Sequence, residues 1–170
     1  MMTLEEIQQS KINPTVAKEA HDQALRCLTD LLDVKKEFEK KAFFLFNAYV
    51  ALALAGFGVG GTLLKEKVAG LQAYPFIFTG LIFVIGAGFF AKALLDDKYG
   101  TVGSNPEMWL NKGTIDGEDS VIPLMLAYIT FHYKNRIEQS IFANNRKAKS
   151  IRIGILLGLA TPVALALVFF

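Results

Sequence analysis

The sequence predicts an all-α membrane protein with three transmembrane helices, in which long amphipathic cytosolic helices run directly into the first and third spans. Three observations predict this class. The apolar residues are concentrated in separate blocks that carry no charge, two of these blocks flank a short charged connector, and amphipathic segments precede the first and third blocks. A hydrocarbon core is crossed by roughly 20 residues of apolar helix. With 170 residues, 52% hydrophobic, and a mean hydropathy of +0.35, the chain has the length of one folding unit.

Four segments follow one another along the predicted chain: a cytosolic stalk helix (1–41), a transmembrane hairpin (42–95), a cytosolic loop with a second stalk helix (96–150), and a third span (151–170). The spans of the hairpin are 42–64 and 74–95. A further apolar stretch, Val121–Tyr133, is too short to cross a bilayer and contains His132, which indicates a buried or interfacial helix.

The first stalk begins at Asn13-Pro14, a pair typical of an N-cap followed by the first helical residue. Apolar residues then recur at steps of three and four, which predicts one buried stripe: Val16, Ala20, Ala24, Leu28, Leu31 and Leu32. No proline or glycine lies between Pro14 and Gly56. We therefore expect one long helix that enters the membrane without a break.

The second stalk repeats this design. Its predicted stripe contains Ile122, Leu126, Ile129, Tyr133, Ile137 and Ile141, and continues through Ala148 and Ile151 into the third span. We expect the two stalks to pack side by side and to bury their stripes against each other.

Glycines are frequent in all three spans. The predicted helix-packing or oligomer-packing positions are Gly56, Gly60, Gly86, Gly154 and Gly158. Small residues let helix backbones approach closely, and such contacts are a main source of packing energy in lipid. The spacing does not distinguish packing within one chain from packing between subunits.

Basic residues predict the orientation. They cluster before the first span and between the second and third spans, whereas the connector of the hairpin holds two, Lys65 and Lys67. By the positive-inside rule, the N-terminus and residues 96–150 are cytosolic, and the C-terminus lies on the far side of a bacterial inner membrane. The single cysteine, Cys27, rules out an internal disulfide.

No catalytic constellation, metal-ligand spacing or cofactor motif is apparent, and we predict neither an enzyme nor a metal or cofactor. A net charge of +2 gives no reason to expect direct nucleic-acid binding. Charged groups deep in the spans, which ion-coupled transport requires, are absent from the sequence of the three blocks. The residues predicted for a ligand or partner surface are Trp109, His132, Arg136, Arg146 and Lys147.

A charged helix that runs into a glycine-rich hairpin, and a second stalk that ends in Arg146-Lys147-Ala148-Lys149, resemble the small membrane effectors of bacterial antiphage systems. These include the SLATT-type proteins and the Pycsar transmembrane effectors. The resemblance covers most of the chain and lies in its layout. It implies a homo-oligomer in the lipid bilayer that awaits a cytosolic protein partner or a nucleotide messenger and then permeabilises the inner membrane.

Two alternatives stay open at this point. One is a membrane anchor or scaffold that does not conduct and that recruits a soluble defence protein. The other is a small immunity or holin-like protein, although holins usually lack so long a cytosolic part.

Overall fold

The computed structural model describes residues 13–65, 70–95, 99 and 121–169. It describes side chains for 13–65, 73–95, 99 and 121–162. Three helices account for nearly all of these residues. They are α1, Pro14–Lys65; α2, Gly70–Leu94; and α3, Val121–Phe169. Within this described part the secondary structure is entirely helical, which confirms the all-α class.

Helix α1 is a single helix of 52 residues and starts where the sequence predicted. The side chain of Asn13 accepts hydrogen bonds from the backbone N–H groups of Thr15 at 2.9 Å and Val16 at 3.4 Å. Pro14 follows as the first helical residue, a position whose N–H has no acceptor within the helix, so the missing N–H of proline costs no hydrogen bond. This N-cap satisfies two of the N–H groups that a helix start leaves without an internal partner.

Among the residues that the structure describes, two helices are long and apolar enough to cross a membrane: α1, and the Ala73–Leu94 part of α2. Many large apolar side chains of both helices face outward, among them Phe43, Phe44 and Phe78. A bilayer would cover such side chains, and large exposed apolar surfaces are rare in water-soluble proteins. The predicted third span, 151–170, has side chains described only as far as Pro162, and it stays a prediction.

The described residues divide into two compact units. The stalk unit contains residues 13–34 and 121–143 with Tyr99, and the span unit contains 35–65, 70–95 and 144–169. Both α1 and α3 therefore contribute to both units. The segment boundaries predicted from the sequence, at residues 41, 95 and 150, stay a prediction. The predicted loop lies mostly outside the described residues.

The core of the stalk unit joins the two predicted stalks. Leu28 of α1 is fully buried with Ile129 and Tyr133 of α3, and three partly buried residues pack around them: Ala24, Leu25 and Ile137. The predicted side-by-side packing is present at this cluster. The stripes are shorter than predicted, because Val16, Ile122 and Ile141 are exposed.

The core of the span unit is formed by all three helices. It contains Ala42 and Tyr49 from α1, Ala87, Phe90 and Ala93 from α2, and Ile151 from α3. Two aromatic rings lie at its centre: Tyr49 and Phe90 meet edge to face with ring centroids 4.8 Å apart. This geometry is the preferred one for aromatic pairs, and it stabilises a pair by about 0.5–1.5 kcal/mol beyond the area that it buries.

Candidate functional site

Tyr49 lies where the three helices of the span unit meet. Its ring also packs edge to face on Phe83, at a centroid distance of 5.1 Å. Its hydroxyl donates a hydrogen bond of 3.0 Å to the carbonyl oxygen of Gly154 in α3. A buried phenol needs such a partner, since leaving the hydroxyl without one costs free energy.

Three of the predicted packing glycines make room for these rings. A Cβ atom on Gly86 would lie 2.6 Å from Cε1 of Tyr49, and one on Gly154 would lie 2.6 Å from Cζ of Phe90. A Cβ atom on Gly158 would overlap the Tyr49 hydroxyl. The rings of α1 and α2 therefore occupy space that only glycine leaves open on α2 and α3.

The other two predicted packing glycines, Gly56 and Gly60, face α2 of the same chain. A Cβ atom on Gly56 would lie 3.0 Å from the carbonyl oxygen of Phe76 and 3.3 Å from Cα of Gly80. On Gly60 it would lie 2.7 Å from Cγ1 of Ile77. The close approach of helix backbones that the Gly56-x-x-x-Gly60 spacing predicted is thus present between α1 and α2 of one chain.

A buried ammonium group lies at the end of the span unit where α2 terminates. The Lys147 side chain is 1% exposed, and its Nζ donates hydrogen bonds to the carbonyl oxygens of Ala93 at 2.7 Å and Leu95 at 3.2 Å. It also donates to Oε1 of Glu39 at 3.1 Å. One cation therefore connects α3 to the carboxylate of α1 and to the last carbonyls of α2.

This arrangement follows from the chemistry of a helix end. The last carbonyls of a helix have no partner within the helix, and they carry partial negative charge from the helix dipole. An ammonium group has three donors. The three acceptors around Lys147 use these donors, and Glu39 supplies the opposite charge that a buried cation requires.

Lys147 was predicted on a ligand or partner surface, and the structure places it in the interior. The physical reason is this set of acceptors, which come from helices far apart in sequence. Its neighbour Arg146 is exposed. Among the described residues, buried side-chain polar atoms all have a hydrogen-bond partner.

The other predicted surface residues that the structure describes lie on α3 in the stalk unit. His132 packs edge to face on Tyr128, with ring centroids 4.5 Å apart, and Phe131 lies beside it. Arg136 places its guanidinium carbon 5.5 Å from the centroid of the Tyr133 ring, a cation–π distance. Trp109 lies outside the described residues.

His21 of α1 also contacts one of these residues of α3, which the sequence did not predict. Its ring lies 5.7 Å from the ring of Tyr133, and its Nδ1 lies 3.4 Å from the carboxylate of Asp22. Tyr133 thus contacts His21 as well as Arg136. The contact between His21 and Tyr133 joins α1 to α3, whereas Arg136 and Tyr133 both belong to α3. Within the described residues no group of three side chains could bind a metal ion.

Sequence reasoning missed Tyr49, Phe90 and Glu39 as well. A signal existed for Tyr49, because a phenol in an otherwise apolar span needs a hydrogen-bond partner. No local signal pointed to Glu39, which is one of several alternating charges on α1.

Comparisons of the chain with protein-family models, with curated proteins and with solved structures give no match.

Proposed function

We propose that the chain is an oligomeric inner-membrane effector of a bacterial antiphage system, in which the stalk unit receives a signal and the span unit perturbs or permeabilises the membrane. The signal is a cytosolic protein partner or a nucleotide messenger. The N-terminus and residues 96–150 face the cytosol, and residues 151–170 form a third span. The antiphage role rests on the resemblance in layout, and the action on the membrane rests on the helices.

One observation carries this proposal: α1 and α3 each contribute to both units as uninterrupted helices. A helix is held by hydrogen bonds in every turn, so displacement or rotation of one part of the helix moves the rest. A partner that changes the packing around Leu28 or Tyr133 would therefore bias the packing of the same helices in the span unit. A switch requires two alternative packings with different free energies, and the continuous helices would connect such packings in the two units.

The packing of Gly56 and Gly60 favours a second candidate, a membrane anchor that does not conduct. These glycines contact α2 within one chain. One of the two glycine pairs of α1 is then used to hold the hairpin together, whereas Cβ atoms on Gly58 and Gly61 would meet nothing within 4 Å. An anchor of this kind would present the stalk unit to a soluble defence protein and leave the bilayer intact.

Efflux from liposomes separates the two candidates. The purified full-length chain is reconstituted into vesicles that contain a self-quenched dye, and release is compared with protein-free vesicles. We expect the wild-type chain to release little dye without its signal, and Leu28→Ala, which alters stalk packing, to raise the release. The matched control is Val16→Ala in the same helix, where the side chain is exposed.

If neither the wild-type chain nor either variant releases dye, even after a stoichiometrically co-purifying cytosolic protein is added to the vesicles, the effector proposal is wrong and the anchor stands. Recovery of the chain in the carbonate-soluble fraction of cells would overturn both.

A further inference from the structure

Charged residues are unevenly distributed at the end of the span unit that contains Lys147. Among the described residues of 35–41, 92–95 and 144–152, basic residues outnumber acidic ones nine to two. The basic residues are Lys35, Lys36, Lys40, Lys41, Lys92, Arg146, Lys147, Lys149 and Arg152, and the acidic ones are Glu37 and Glu39.

Both acidic residues already have basic neighbours. Glu39 accepts from Lys147 at 3.1 Å and lies 3.7 Å from Lys35, and Glu37 lies 3.6 Å from Lys41. Among the described residues of this end, basic side chains therefore outnumber the carboxylates, and Lys40, Lys92 and Lys149 are exposed. The sequence continues with Asp96 and Asp97, which lie outside the described residues.

The contacts of Lys147 fix which residues share a level. Because its ammonium touches Glu39 of α1, the carbonyl of Ala93 in α2 and the carbonyl of Leu95 directly after α2, the neighbours of these residues lie at a similar height in the span unit. Those neighbours include exposed lysines on each helix, and three of them are Lys40 on α1, Lys92 on α2 and Lys149 on α3. We call these three residues the cationic collar.

Beyond the collar, each helix carries exposed apolar side chains within two turns. Phe44 follows Lys40 by four residues and is 73% exposed, and Leu156 follows Lys149 by seven residues. On α2, which ends at this level, Ile85 precedes Lys92 by seven residues and is also exposed. A helix rises 1.5 Å per residue, so the collar lies about 6–10 Å from an outward apolar band.

We propose that the cationic collar binds the phosphate groups of anionic phospholipids, whose acyl chains cover the apolar band beside it. An anionic phospholipid matches both features, because its charged headgroup and its acyl chains are separated by a comparable distance. Lysine side chains near a span reach the headgroup level with their ammonium groups while their methylenes cover apolar surface. Anionic headgroups attract basic residues at the membrane surface. This proposal rests on the membrane insertion proposed above and deepens it by naming the lipid class.

Titration with defined lipids, read by native mass spectrometry of the detergent-solubilised full chain, tests the collar. Phosphatidylglycerol and phosphatidylcholine are the probes, and the bound lipid is counted at each concentration. The test variant is Lys40→Gln/Lys92→Gln/Lys149→Gln. The control variant is Lys18→Gln/Arg26→Gln/Lys134→Gln, which removes the same charge from the stalk unit.

We expect the wild-type chain and the control to prefer phosphatidylglycerol. One basic residue beside an anionic surface contributes about a fivefold preference, so the test variant should bind this lipid at least about tenfold more weakly. Its affinity for phosphatidylcholine should not change. Circular dichroism checks that all three proteins keep the same helix content.

Three results would overturn the collar: equal binding of the two lipids by the wild-type chain, a preference retained by the test variant, or an equal loss in the control. Displacement of the lipid by inorganic phosphate at the same concentration would show that the ligand is a soluble phosphate. Dye release is measured separately. Dye release without a preference for phosphatidylglycerol would support the proposed function and overturn the collar. A preference for phosphatidylglycerol without dye release would support the collar and count against the proposed function.

Discussion

The ammonium group of Lys147 and the carboxylate of Glu39 lie 3.1 Å apart, although 108 positions separate them in the sequence. The same ammonium donates to the last carbonyls of α2. The end of α2 is thus held by one side chain of α3, and the charge of that side chain is balanced by α1. All three helices of the span unit meet in this cluster, which makes it the most connected polar contact of the unit.

Substitution of Lys147 by methionine should destabilise the span unit. Methionine keeps much of the side-chain volume and removes the charge, so two carbonyls and Glu39 lose their donor. We expect a loss of about 1.5–3 kcal/mol in the free energy of unfolding, the range for hydrogen bonds to a charged group. Unfolding of the detergent-solubilised chain by dodecyl sulfate, followed by circular dichroism, measures it.

The matched control is Lys149→Met, two positions further along α3, where the side chain is exposed. It should change the free energy of unfolding by no more than about 0.5 kcal/mol. Glu39→Gln should lie in between, because the amide oxygen can still accept a bond from Lys147. Equal stability of the two methionine variants would show that the buried cation does not hold the helices.

Gly86 and Gly88 of α2 form a second matched pair. A Cβ atom on Gly86 would lie 2.6 Å from the Tyr49 ring, whereas one on Gly88 would meet no atom within 4 Å. We expect Gly86→Ala to cost about 1–3 kcal/mol, the usual range when a packed core must accept an added carbon. Gly88→Ala should stay within about 0.5 kcal/mol of the wild-type chain in the same unfolding assay.

If both alanine variants unfolded at the same concentration of dodecyl sulfate, the Tyr49 ring could move at no cost, and its position between the helices would not depend on Gly86. The edge-to-face contact with Phe90 argues against such freedom.

The continuity of α1 could be predicted because it depends on local chemistry. Asn13 and Pro14 fix the start, and the sequence up to Gly56 contains no residue that ends a helix. The burial pattern of α3 could not be predicted in the same way. Its buried positions include Ser140, Ala143, Lys147, Ser150 and Gly154, at alternating steps of three and four.

That spacing is close to a 3.5-residue period, which keeps one face of a helix against its neighbours. Small and polar residues occupy it, so a search for large apolar residues pointed instead to Ile141, which is exposed. Likewise the room beside Gly154 and Gly158 is filled by Phe90 and Tyr49, and no local pattern links these residues to the glycines.

The stalk unit depends on Leu28, whose side chain is fully buried against Ile129 and Tyr133. We expect Leu28→Ala to destabilise this unit by about 2–5 kcal/mol, because it removes buried methyl groups and leaves a cavity. Hydrogen exchange of the full-length chain should show faster exchange in the stalk segments of both α1 and α3. The exposed Val16 gives the control Val16→Ala, for which exchange should not change.

Faster exchange confined to α1 would contradict this expectation, since it would mean that the two stalk segments are stable independently of each other.

Gly56 and Gly58 distinguish packing within one chain from packing between subunits. A leucine at position 56 would collide with the backbone of α2 near Phe76 and Gly80, while a Cβ on Gly58 meets nothing within 4 Å. We therefore expect Gly56→Leu to lower the stability of the monomer by more than about 2 kcal/mol, as overpacking does. Gly58→Leu should leave monomer stability within about 0.5 kcal/mol of the wild-type value.

Unfolding in detergent at dilute and at high protein concentration, together with mass measurement by light scattering, separates these effects. If Gly56→Leu kept the unfolding midpoint of the dilute chain and reduced only the mass of an oligomer, the glycine face would meet another subunit. Loss of stability at both concentrations would instead assign that face to the contact between α1 and α2. An oligomer that forms through the outward side of α1 should then lose mass in the Gly58→Leu variant.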